Sequence, residues 1–72
     1  MKKVELARIG NEVKSFMLED NSTIQNLLTI ANMSLLEGEV VKSAETEEKV
    51  ELSYIPEAEE EFVIVKEMKN AY

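Results

Sequence analysis

Asn21-Ser22-Thr23-Ile24-Gln25-Asn26-Leu27-Leu28-Thr29-Ile30-Ala31-Asn32 is the stretch of this 72-residue chain with the clear period of an amphipathic helix. Ile24, Leu27, Leu28, Ala31 and then Leu35 recur at i, i+3, i+4, i+7 and i+11, so a 3.6-residue helix sets them in one stripe. Ser22 and Gln25 have the spacing of a capping box, with the hydroxyl accepting the Gln25 N–H and the amide reaching back. Gly38 is placed to end the turn that follows. What flanks this helix alternates rather than repeating every three or four residues. The chain therefore reads as one helix laid across a sheet.

Ahead of the helix, Val4 and Leu6 alternate with Glu5 from Lys2 to Arg8, the pattern of a half-buried strand. Ile9-Gly10-Asn11-Glu12 supplies residues that tolerate positive φ and predicts a hairpin to a second strand over residues 13–18. The phase of that strand is open. Val13 and Met17 share one face and Phe16 and Leu18 the other, so either both faces are partly covered or a bulge shifts the frame; we take Phe16 and Leu18 as inward. Glu19-Asp20-Asn21 connects to the helix.

Behind the helix, Met33-Ser34-Leu35-Leu36 is expected to run back across the sheet, and a short third strand to open at Gly38 and run through Lys42. Val50, Leu52 and Tyr54 alternate with Glu51 and Ser53, predicting a fourth strand that ends at Ile55 and is closed by Pro56. Residues 57–61 read as a turn or a single helical turn. Phe62-Val63-Ile64-Val65 is apolar throughout and reads as a central strand buried on both faces. Residues 66–72 turn polar and are expected to fray. The expected core is Val4, Leu6, Phe16, Leu18, Ile24, Leu27, Leu28, Ala31, Leu35, Val40, Leu52, Val63 and Val65. The fold class is α+β in the order ββαβββ, one domain over residues 1–72, with four or five strands in a mixed sheet.

Composition narrows the chemistry. The chain has neither Cys nor His, which removes disulfides, thiolate and imidazole ligands and every His- or Cys-based nucleophilic mechanism. No apolar run approaches the roughly 20 residues of a membrane span, and no leader pattern opens the chain, so a cytoplasmic, non-membrane protein is expected. The net charge is −7, which disfavours direct binding to a phosphate backbone. Residues 44–61 hold eight glutamates against Lys49 alone and so carry that entire excess. Of these, Glu45, Glu47, Glu48, Glu57, Glu59, Glu60 and Glu61 are candidates for a docking flank toward a basic protein, against the plainer reading of solvated loops that keep a small domain soluble. They lack the Gly and Asp or Asn offsets of a cation-binding loop, so no metal or cofactor is expected. Lys2, Lys3, Arg8 and Lys14 could form a small basic patch on the sheet face away from the helix, against the favoured reading of basic side chains that fringe an exposed strand and discourage edge pairing. Ile30, Met33 and either Phe16 or Met17 are left over as exposed apolar residues.

The succession of a hairpin, one helix and further strands ending in an apolar strand resembles the β-grasp arrangement of ubiquitin-like proteins and of the small sulfur carriers of molybdopterin and thiamine synthesis. Asn21-Ser22-Thr23-Ile24-Gln25-Asn26-Leu27 resembles the Ser-Asp-Thr-Ile-Glu-Asn-Val helix entry of the ubiquitin family, and Val4 to Leu6 with Gly10 resembles its first strand and hairpin glycine. Glu60-Glu61-Phe62-Val63-Ile64-Val65 resembles the Gly-Asp-x-Val-x-Val approach to the last strand of the carriers. The resemblance stops at the tail. Carriers end in Gly-Gly, whereas this sequence ends Lys69-Asn70-Ala71-Tyr72, so no conjugating or carrier residue is carried over. The resemblance implies a non-enzymatic protein-binding module with an apolar patch on its open sheet. An unpaired edge at the second strand or at Val40 to Lys42 could pair between chains, so a monomer or weak dimer is expected. The alternatives are a relative of the sulfur carriers, and a small acidic inhibitor that imitates nucleic-acid charge.

Overall fold

The computed structural model describes residues 1–67 and forms a small α+β domain of one helix against a five-stranded mixed sheet. The strands are β1 (Lys2–Arg8), β2 (Lys14–Leu18), β3 (Glu39–Ser43), β4 (Lys49–Val50) and β5 (Glu61–Lys66), with α1 (Ile24–Ile30) between β2 and β3. Their order across the sheet is β2-β1-β5-β3-β4, with β1 and β5 parallel and the other neighbours antiparallel. β5 is central, as its unbroken apolar run implies. Among the described residues, no helix is long and apolar enough to cross a membrane.

The helix starts one residue later than the sequence suggests. Thr23, not Ser22, is the cap: its hydroxyl accepts the Asn26 N–H at 3.3 Å, and the Asn26 carboxamide accepts the Thr23 N–H at 2.9 Å. The next two helix N–H groups are also satisfied, since Ile24 donates to the Tyr54 carbonyl at 2.9 Å and Gln25 to that of Leu52 at 3.0 Å. These two bonds explain why the expected fourth strand is cut to Lys49–Val50. Carbonyls that would extend a ladder from residue 52 to 54 are turned toward the helix terminus instead. Leu52 is consequently 39% exposed and not a core residue.

Asn32 ends the helix. It takes φ of 58° and donates to the Thr29 carbonyl, while Met33 donates to that of Leu28, the paired closure of a Schellman motif. Gly38 has φ of 84° and serves the turn into β3. The segment between runs back over the sheet as expected. Arg8 holds it, donating to the Ser34 carbonyl at 2.7 Å and to both Glu39 carboxylate oxygens at 3.0 and 3.1 Å. Glu39 also accepts the Leu36 N–H, and this bond, with Arg8 beside it, holds the carboxyl below the ordinary glutamate range.

The core under α1 consists of Val4, Leu6, Leu18, Ile24, Leu27, Leu28, Val41, Phe62 and Ile64. Phe16, Ala31, Leu35, Met33, Val50 and Tyr54 pack against it partly buried. Three expected members change sides. Ile64 and Phe62 face the helix in place of Val63 and Val65, and Val41 replaces Val40. An apolar doublet or quartet carries no alternation, so only pairing sets its phase: Leu6 lies beside Phe62, and Ile64 opposite Val41. Phe62 fills the space and meets Tyr54 edge to face, with ring centroids 6.0 Å apart. On β2 the phase is the expected one, with Phe16 opposite Val4 and Leu18 fully buried. Of the tail expected to fray, Lys66 belongs to β5 and the Glu67 N–H donates to the Gly38 carbonyl; the remaining residues lie outside those described.

Candidate functional site

Strand alternation leaves the sheet face opposite α1 to Lys3, Glu5 and Ala7 of β1, Ser15 and Met17 of β2, Glu61, Val63 and Val65 of β5, Val40 and Lys42 of β3, and Lys49 of β4. Its centre is apolar. Ala7 pairs with Val63, and Val65 with Val40, so four small side chains touch across three strands. Ala7 is buried although no helix lies over it, because Val63 and its other neighbours crowd a side chain of one carbon. Val40, Val63 and Val65 are half-buried. Ile9 and Val13, at the ends of the hairpin loop, extend the patch and are 67% and 50% exposed.

Ala7, Val63, Val65, Ile9 and Val13 floor and rim an open depression of about 590 Å³, which Arg8, Lys42 and Lys66 also line, and Val40 lies beside it. It follows β5 from the β1–β2 hairpin at one end to the β3–β4 turn at the other, where Glu47 and Glu61 line it with Ala44. Lys42 flanks it opposite Val63. Glu5 and Glu61 sit directly side by side on β1 and β5, an arrangement of like charges that costs a sheet stability and is open to a cation from outside.

The seven sequence candidates divide by role. Glu45, Glu47 and Glu48 lie exposed in the β3–β4 turn, and Glu57 and Glu59 lie exposed in the loop before β5, where Glu60 is half-buried. Both loops meet at the same end of the sheet, where Ala44 donates to the Glu61 carbonyl at 2.9 Å, Glu59 to that of Lys3 at 2.7 Å and Glu5 to that of Glu60 at 3.0 Å. Glu60 is committed internally: its carboxylate accepts the Tyr54 hydroxyl at 3.0 Å and the Glu57 N–H at 2.9 Å. The carboxylate beside it pushes the Tyr54 hydroxyl above its ordinary pKa. Glu47 and Glu61 are the two that border the apolar depression. Among the described residues, no three carboxylates converge as metal ligands.

Lys2, Lys3, Arg8 and Lys14 do not gather into a basic patch on the open face. Lys2, Arg8 and Lys14 lie on the helix side, opposite or beside Leu18, Ile64 and Leu6, and Lys3 alone is on the open face. Lys2 donates to the carbonyls of Asp20 and Pro56, and Arg8 is held by Glu39. An apolar open face was expected, but its residues were hidden in the sequence, because Val40, Val63 and Val65 read as core. No protein-family model and no curated protein matches the chain.

Proposed function

We propose that the chain is a β-grasp domain of the ubiquitin-like kind, without catalytic activity, that binds a protein partner on its open sheet face. The strand order, with parallel β1 and β5 at the centre and a single helix across one side, supports the first part. The contiguous patch of Ala7, Val40, Val63 and Val65 carries the second, with Ile9 and Val13 standing above it. Large apolar side chains exposed beside a shallow depression are the usual mark of a docking surface. The ligand that fits is a protein segment with a compact apolar side chain for the Val63–Val65 floor and a Lys or Arg positioned toward Glu61 and Glu47. Arg in particular can engage neighbouring carboxylates in a fixed geometry.

Selection of a displayed random peptide library on the immobilised full chain tests this. Enrichment of apolar sequences flanked by Lys or Arg is expected, with binding lost in V63E and V65E. Selected ligands indifferent to both substitutions refute the open-face reading. If those ligands are also strongly basic and released steeply by salt, the acidic loops act on their own, as in an inhibitor that imitates nucleic-acid charge.

A further inference from the structure

The sheet has two edges and they are unlike. β4 is two residues long, whereas β2 presents five residues with nothing paired along its outer side among the described residues. The direction of its hydrogen-bonding groups follows from β1. Glu5 and Ile9 donate to β5, at the Glu60 and Ile64 carbonyls, so the alternate residues Val4 and Leu6 direct their N–H and C=O groups to Phe16 and Lys14. Ser15 and Met17 therefore aim both backbone groups outward. Met17 is 53% exposed as well.

We propose that this edge is closed by a second copy of the chain, with β2 pairing antiparallel to β2 about a two-fold axis through Met17. An axis perpendicular to the sheet keeps each side chain on its own face, as an antiparallel ladder requires. In this register Met17 exchanges both hydrogen bonds with Met17 of the second copy. The Glu19 N–H of each copy then reaches the Ser15 carbonyl of the other. Phe16 lies opposite Leu18, and Lys14 opposite Asp20, whose carboxylate meets the Met1 amine at 3.5 Å but whose side chain stays 86% exposed and can take a second cation. By symmetry that ion pair occurs twice.

The two adjacent symmetric registers are worse. Centring the axis on Phe16 sets Glu12 against Asp20 and Lys14 against Leu18; centring it on Leu18 sets Phe16 against Asp20. Like charges opposed across a ladder, or a charge against an aromatic ring, both cost stability. The Met17 register thus has the charge complementarity that selects a partner of the same sequence. The product is a continuous ten-stranded sheet with both open faces on the same side, able to engage a bivalent target. The inference does not depend on what the open face binds.

Sedimentation equilibrium of the full chain from about 10 μM to about 1 mM tests it, since a five-residue edge buries less than the roughly 1,200 Å² of a standard interface and its dimer is expected in the micromolar range or weaker. A reversible monomer–dimer equilibrium is expected, and a monomer at every concentration overturns the proposal. M17P removes an outward N–H at an edge position where proline is tolerated, and should be monomeric with an unchanged circular dichroism spectrum. K14E should weaken association at least about tenfold, and K14E/D20K should restore it. A double variant no tighter than K14E overturns the register. V63E should leave association unchanged, which separates this result from any failure of the open-face reading.

Discussion

The phase of β5 can be measured by comparing two adjacent substitutions, Phe62→Ala and Val63→Ala. Phe62 is fully buried beneath α1 and packs edge to face on Tyr54, whereas Val63 is half-buried on the opposite side of the same strand. Truncating a buried Phe costs about 3–5 kcal/mol, of which the aromatic pair accounts for about 0.5–1.5. Val63→Ala removes two methyl groups worth about 0.8 kcal/mol each when buried, so a half-buried site loses about 1 kcal/mol or less. A chain of this size has a total stability of about 4–11 kcal/mol, so F62A removes a large part of it and V63A does not. Urea unfolding of both variants, with a common m-value, gives the two losses directly. Equal losses, or a larger one for V63A, would refute the assignment of Phe62 to the core. The comparison matters for function, because only a strand in this phase can carry a charge at residue 63 and remain folded.

Further expectations concern the helix entry and two ionisable groups. Leu27→Ala should cost about 2–5 kcal/mol in urea unfolding, while Leu52→Ala, at a position that contributes its carbonyl rather than its side chain, should cost less than about 1. The Glu39 carboxyl is held low by the Leu36 N–H and Arg8, so the folded state binds its proton less readily than the unfolded chain. That contribution is present above the ordinary glutamate pKa and lost as pH falls through the lowered one, and Glu39→Gln should flatten this part of the acid limb of a stability profile. The Tyr54 hydroxyl is held high by Glu60, so the folded state keeps its proton longer. Its contribution is complete below the ordinary tyrosine value of 10.0 and is lost as pH rises through the raised one. Tyr54→Phe should remove this alkaline loss in chemical denaturation at several pH values.

In β1 and α1 the periodicity identifies both the element and its buried face. Val4 and Leu6 against Glu5, and the i, i+3, i+4 stripe of α1, each have a period that only one element satisfies. On β2 the sequence left the phase open between Phe16 with Leu18 and Val13 with Met17, and pairing with β1 decides it by setting Phe16 opposite Val4. Local signals misled where two residues could perform one task. Ser22 and Thr23 both precede a residue able to close a capping box, and Val50-x-Leu52-x-Tyr54 alternates as a strand would. In the fold its last carbonyls satisfy Ile24 and Gln25 of the helix instead.

The candidate site lay beyond local reading for a related reason. Residues 44–61 show their charge excess plainly, but not that Glu60 is spent on Tyr54 while Glu47 and Glu61 border an apolar depression. By itself the sequence determined one helix on a mixed sheet, a central final strand and an acidic end, because period and composition are local properties. Only the tertiary structure decided which half of Val40-Val41 and of Phe62-Val63-Ile64-Val65 faces the helix. An uninterrupted apolar run is equally suited to either side of a sheet. Its pairing with Leu6 of β1 breaks that symmetry and leaves Val40, Val63 and Val65 on the open face.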